Sequence, residues 1–93
     1  MAKSNRTERS PPIMRKRTIK FKSYPGLYKK EKKGIKPNTT RNNLDWNIER
    51  WREYDAATHI IIENSATGAT FERKITDKSL FDELSIISWK HKK

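Results

Sequence analysis

The segment Gly34-Ile35-Lys36-Pro37-Asn38-Thr39-Thr40-Arg41 places a lysine, a threonine and an arginine within seven residues of a glycine. The glycine lets the backbone turn tightly. If the segment runs out as a strand, Thr39 and Arg41 project to one side, so that a hydroxyl and a guanidinium can face a single ligand oxygen or base edge, with Lys36 in reach of the same space. The same three residues would also serve a structural loop held by surface ion pairs. Other chemistry has little support. There is no glycine-rich phosphate loop, no paired-histidine metal motif, no cysteine nucleophile and no serine in a nucleophile elbow. With no cysteine and only His59 and His91, neither a disulfide framework nor a Cys/His zinc site is available, and no cofactor is implied.

Charge supplies the second signal. The 93 residues carry a formal net charge of +11, and it is unevenly placed: residues 1–33 hold twelve Lys or Arg against two Glu, residues 34–93 ten against nine. Such asymmetry suits an arm or face that meets a polyanion, because each cation placed on a phosphate releases condensed counterions. Phosphates would lie along Arg15, Lys16, Arg17, Lys20, Lys22 and the cluster Lys29, Lys30, Lys32, Lys33, while Tyr24, Tyr28 or Trp46 stacks on a base and Lys36, Thr39 and Arg41 line a cleft. The helix dipole also favours cations where the lysine cluster falls, and a basic tail can merely aid solubility. The partner expected is RNA or DNA; a host protein or ribonucleoprotein is the alternative. No apolar run has the roughly eighteen residues of a membrane span, and the first residues lack the apolar stretch of a signal peptide, so no membrane partner and a cytoplasmic location are expected.

The elements that must position these residues follow from periodicity. Residues 1–17, with Ser10-Pro11-Pro12 and no sustained period, read as a flexible basic arm with Ile13 and Met14 as docking residues; residues 18–93 read as a single domain. Thr18 to Tyr24 alternates Ile19 and Phe21 against Lys20 and Lys22, a half-buried strand. Pro25 opens a short helix that turns Leu27 and Tyr28 inward and that Gly34 terminates. Residues 35–41 read as a structured loop. Asn42 or Asn43 caps a helix to about Tyr54, with Leu44, Ile48 and Trp51 on one inward stripe and Trp46 off it. Ile60-Ile61-Ile62 marks a central strand buried on both faces. Asn64 to Gly68 is a hairpin connection into a strand over residues 69–76 with Phe71, Arg73 and Ile75 on one face. Asp77 to Leu84 forms a turn or short helix, and Ser85 to Trp89 a last strand. The fold class is α+β: a small β-barrel of four to five strands with two short helices.

On Gly34, Lys36 and Arg41 the sequence resembles the ASCH domains, small relatives of the PUA fold whose motif is Gly-x-Lys-x-x-Glu-x-Arg. Thr39 stands where that family has glutamate, as in a bacterial branch that hydrolyses N4-acetylcytidine with a Lys, a Thr and a Glu. The resemblance implies a PUA-like barrel that binds RNA or nucleotides beside the motif loop. For an enzyme of that branch it implies Thr39 as nucleophile, Lys36 as its base, and an acid after the long hairpin, where Asp82 and Glu83 stand; Glu83 is the one carried over. Phe21-Lys22-Ser23-Tyr24-Pro25, Lys36 to Arg41, Ile75-Thr76-Asp77 and Ile86 to Trp89 are also similar to phrases in small proteins of bacteriophages of Gram-positive hosts. That likeness implies a third possibility, an accessory factor that binds a host protein.

Overall fold

The computed structural model describes residues 15–90. In chain order these form β1 (Thr18–Ser23), α1 (Pro25–Lys32), β2 (Asn38–Asn42), α2 (Ile48–Ala56), β3 (His59–Asn64), β4 (Thr70–Phe81) and β5 (Leu84–Trp89). The protein is α+β, and its five strands make one curled sheet, a half-barrel, in the order β1-β3-β4-β5-β2. β1 pairs with β3 in parallel, Thr18 opposite His59 through Ser23 opposite Asn64, and the connection between them carries α1, β2 and α2. The other three pairings are antiparallel. Among the described residues no helix is long and apolar enough to cross a membrane.

Alternation sets which faces are buried. Ile19, Phe21 and Ser23 of β1 point inward, Lys20 and Lys22 outward. Ile60 and Ile62 of β3, Ile87 of β5 and Ile19 are essentially solvent-free and form the centre of the core with Phe21, Tyr28, Tyr54, Phe71 and Trp89. Ile61 is only half-buried, and β3, although interior to the sheet, is its second strand rather than its middle one. The connection between β3 and β4 is the expected hairpin, with Gly68 at φ 79° in the left-handed region that glycine enters without strain.

Helix α1 begins at Pro25, as its fixed φ favours, and Gly34 follows its end at φ 81°. It buries Tyr28 and Glu31, three positions apart on one face, and leaves Leu27 42% exposed rather than inward. The expected loop over residues 35–41 is in part β2, because Asn38 to Asn42 pairs with Ser88 to Leu84.

Helix α2 starts four or five residues later than the sequence suggests. Asn43 is needed inside the fold: its N–H donates to the Glu83 carbonyl (2.7 Å) and its side-chain amide to the Ser85 hydroxyl (2.9 Å), so the chain cannot wind there. Asn47 becomes the cap, accepting from the Arg50 N–H at 2.8 Å. Leu44 and Ile48 are therefore 75% and 64% exposed instead of lining an inward stripe. Trp46, off the expected stripe, packs on the core instead, 6.0 Å from Phe21 between ring centroids and 5.0 Å from Trp51.

The turn or short helix expected from Asp77 to Leu84 is confined to two residues. β4 continues to Phe81 with a register shift between Ile75 and Asp77, and a tight turn at Asp82-Glu83 returns the chain into β5. Asp82 takes φ 53°, a left-handed conformation that Asp tolerates better than most residues.

Candidate nucleic-acid-binding cleft

The curl of the sheet brings its two edge strands, β1 and β2, face to face, and no backbone ladder joins them. Side chains bridge the seam. From β2, Arg41 donates through Nη1 to the Lys22 carbonyl (2.7 Å) and through Nη2 to the Ser23 hydroxyl (2.8 Å), both in β1, while its Nε donates to Thr39 Oγ1 (2.9 Å). Ser23 in turn donates to Glu31 Oε1 at 2.8 Å, and the other carboxylate oxygen lies 3.6 Å from Lys36 Nζ. Lys36 also donates to the Asn38 carbonyl at 2.8 Å. A chain of polar contacts thus runs from β2 through β1 to α1 and back to the start of β2.

Thr39 and Arg41 meet because residues two apart on a strand share a face; on this strand it is the inward one. Glu31, 1% exposed, is tolerated because Ser23 and Lys36 both satisfy it. Burial lowers the affinity of the Arg41 guanidinium for its proton; Glu31 opposes that shift and Arg50 adds to it. The group remains charged all the same, since arginine does not deprotonate in proteins. Arg41 and Arg50 stack on the Phe21 ring, at 4.9 and 4.3 Å from its centroid, and Arg50 also donates to the Lys20 carbonyl.

Above this network opens a cleft of about 590 Å³ whose lining includes Lys22, Tyr24, Lys36, Thr40, Arg41 and Ser65. Tyr24, the residue before α1, is 77% exposed at its mouth, and the exposed Lys22 stands two residues before it. Lys29, Lys30, Lys32 and Lys33 are exposed along and just beyond α1, with Lys32 5.9 Å from the centroid of Tyr28, whose buried ring is not a stacking surface.

The other residues singled out in the sequence are not gathered there. Arg15, Lys16 and Arg17 lie at the opposite end of β1. The chain at Arg17 is pinned rather than free: its N–H donates to Thr58 Oγ1 (2.9 Å) and its carbonyl accepts from the His59 N–H (3.0 Å), and Lys16 pairs with Glu72 at 2.6 Å. The rest of the expected arm, with Ile13 and Met14, lies outside the described residues. Lys20 faces outward against Glu63 at 2.8 Å, and Trp46 is held by its aromatic neighbours, not in the cleft. Glu83 and Asp82 sit in the exposed turn beyond the far end of β2, where Glu83 offers its carbonyl to Asn43; neither lines the cleft.

The carboxylate that the fold does bring to Lys36 and Thr39 is Glu31, which sequence reasoning passed over. Its signal was a lone acid inside Lys29-Lys30-Glu31-Lys32-Lys33, on the helical face of Tyr28. Among the described residues no cluster of three or more His, Cys, Asp or Glu side chains is placed to hold a metal ion. Compared with known protein families, curated proteins and solved structures, the chain matches none.

Proposed function

We propose that this chain is a nucleic-acid-binding module that takes single-stranded RNA or DNA across the seam cleft, in a cytoplasm, as its ASCH-like motif suggests. The observation that carries the reading is Tyr24: an aromatic ring 77% exposed in the lining of the cleft, with Lys22 and Lys36 in the same lining and the exposed α1 lysines farther along the helix that Tyr24 precedes. Aromatic rings in such clefts act as stacking platforms for bases, worth about 1–3 kcal/mol per base, while surrounding cations position the phosphates. Lys22, Lys29, Lys30, Lys32 and Lys33 have no carboxylate within ion-pair distance among the described residues, so they are available to a polyanion. Arg41 and Thr39, by contrast, spend their polar atoms on the seam and shape the floor.

The test is binding of labelled single-stranded and duplex oligonucleotides over a salt series. Tyr24→Ala should weaken single-strand binding about 5- to 150-fold with little change in the salt slope, and Lys29→Ala with Lys30→Ala should flatten that slope by roughly 1.4, about 0.7 per phosphate contact. Failure of the intact chain to bind any nucleic acid at low salt refutes the proposal.

A second reading, hydrolysis of N4-acylated cytidine, draws support from the presence of Lys36, Thr39 and a carboxylate, Glu31, around one cleft. Against it, Lys36 is paired with Glu31 and donates to the Asn38 carbonyl, and an ammonium held so has no lone pair to take a proton from Thr39. Thr39→Ala would abolish turnover of an acylcytidine if this reading holds; no turnover by the unaltered protein disposes of it.

A further inference from the structure

The large apolar side chains that remain exposed fall into two groups of opposite electrostatic setting. Tyr24, Leu27 and Ile35 belong to residues 22–36, where six lysines stand against Glu31 alone, and Glu31 is buried against Lys36. Leu44, Ile48, Leu80 and Phe81 belong to the other end of β2 and the adjoining hairpin tip. Register sets Leu80 and Phe81 beside the end of β2 that leads into Leu44; as neighbours on a strand they project to opposite faces of the hairpin tip, and Ile48 opens α2 four residues after Leu44. Phe81 pairs with Leu84, and Leu84 with Asn42; Leu80 pairs with Ser85, whose hydroxyl is held by Asn43, the residue before Leu44. Its setting is acidic: Asp45, Glu49, Asp77, Asp82 and Glu83 are all exposed, and the cation within these stretches, Lys78, is tied to the carbonyls of Tyr54 and Asp55.

Exposed apolar groups rimmed by charge mark interaction sites, and a partner for the acidic end must offer apolar side chains among cations. The basic face of this same chain offers that combination. We propose that the protein associates with itself head to tail, the acidic Leu44/Leu80/Phe81 end of one copy seated on the basic Tyr24/Leu27/Ile35 face of the next. The two patches differ, so the contact is heterologous and leaves one patch of each kind open at the ends of every assembly. The basic patch is also the proposed nucleic-acid face. A bound strand therefore competes with a neighbouring copy for the same lysines and aromatic ring.

The experiment is sedimentation velocity on the full chain without nucleic acid, across protein concentration and salt. The expected result is association beyond the dimer that weakens as salt rises. Two acidic-end variants, Leu80→Ser with Phe81→Ser and Asp45→Lys with Glu83→Lys, should each sediment as monomers; Asp82 is left alone because of its left-handed backbone. A basic-face variant, Lys29→Glu with Lys30→Glu, should also be monomeric. An acidic-end variant mixed with the basic-face variant should form a complex that stops at one copy of each, since only one competent contact remains. A short single-stranded oligonucleotide should dissolve the assemblies of the unaltered chain. The proposal is overturned if the unaltered chain stays monomeric up to about 1 mM, the weak limit of useful affinity, in which case the acidic end awaits a different chain. It is equally overturned if both acidic-end variants associate as the original does, or if the mixture stays monomeric.

Discussion

Replacing Arg41 with alanine tests whether the seam between the two sheet edges is held by that one side chain. Three hydrogen bonds and a stacking contact would go: Nε to Thr39, Nη2 to Ser23, Nη1 to Lys22 and the guanidinium on Phe21. The first two are partly buried and contribute about 1 kcal/mol each. The Lys22 carbonyl is exposed and water replaces the lost donor, so that bond contributes about 0.5 kcal/mol, and the ring contact adds about 0.5. The expected loss is about 3 kcal/mol. For a domain of this size each kcal/mol lowers the melting midpoint by about 4–8 °C, giving a fall of roughly 12–24 °C. Urea unfolding followed by the fluorescence of Trp46, Trp51 and Trp89 measures it directly. Arg41→Lys should recover little, because one ammonium cannot span three acceptors on two strands. A loss under about 1 kcal/mol for Arg41→Ala, with unchanged denaturant slope, would refute the claim that this residue closes the half-barrel.

Three further outcomes are expected. Asn47→Ala should cost about 1 kcal/mol by removing the cap of α2, read by the same urea titration, and Asn47→Gly only a few tenths. Glu31→Ala should cost about 1–3 kcal/mol, since the buried Ser23 hydroxyl loses its acceptor while Lys36, a third exposed, turns to water, and hydrogen exchange should rise first at Ser23 and Lys36. The Glu63 carboxyl is held below its ordinary range, first by its hydrogen bond to Lys20 and then by the nearby positive charge of Lys20 and Lys22. Its folded value being depressed, the stability it lends is present above the unfolded value near 4.5 and is lost as pH falls through the folded one. Carboxyl NMR should show its midpoint returning upward in Lys20→Met.

The sequence made the alternating parts of the fold legible and misread the parts where polar side chains override local pattern. Ile19 and Phe21 against Lys20 and Lys22 predicted β1 correctly, and Pro25 with Gly34 bounded α1, because each rests on backbone geometry that context rarely reverses. The start of α2 was misplaced because Asn42, Asn43 and Asn47 are all competent caps, and the choice is made by Glu83 and Ser85, some forty residues away. The long β4 was missed for a similar reason: Asp77 and Asp82 both look like turn residues, but only pairing with β5 decides which one turns. At the cleft, the shared side of Thr39 and Arg41 followed from spacing alone. That the partners of Arg41 would be the Lys22 carbonyl and the Ser23 hydroxyl did not, since strand order is not written in any one segment.

The strand order has a consequence for how the molecule comes into being. The cleft is made by β1 and β2, yet β1 has its ladder partner in β3 and β2 in β5, so each wall waits for a strand that is synthesised after it. A nascent chain released only to Phe81 would hold every lysine of α1 and every residue of the seam network, with no β5 for β2 to pair with. The early residues supply the chemistry and the late ones its geometry. The cleft itself is thereby reserved for copies whose translation has run through Trp89, and an incomplete chain carries the same side chains without the walls that arrange them.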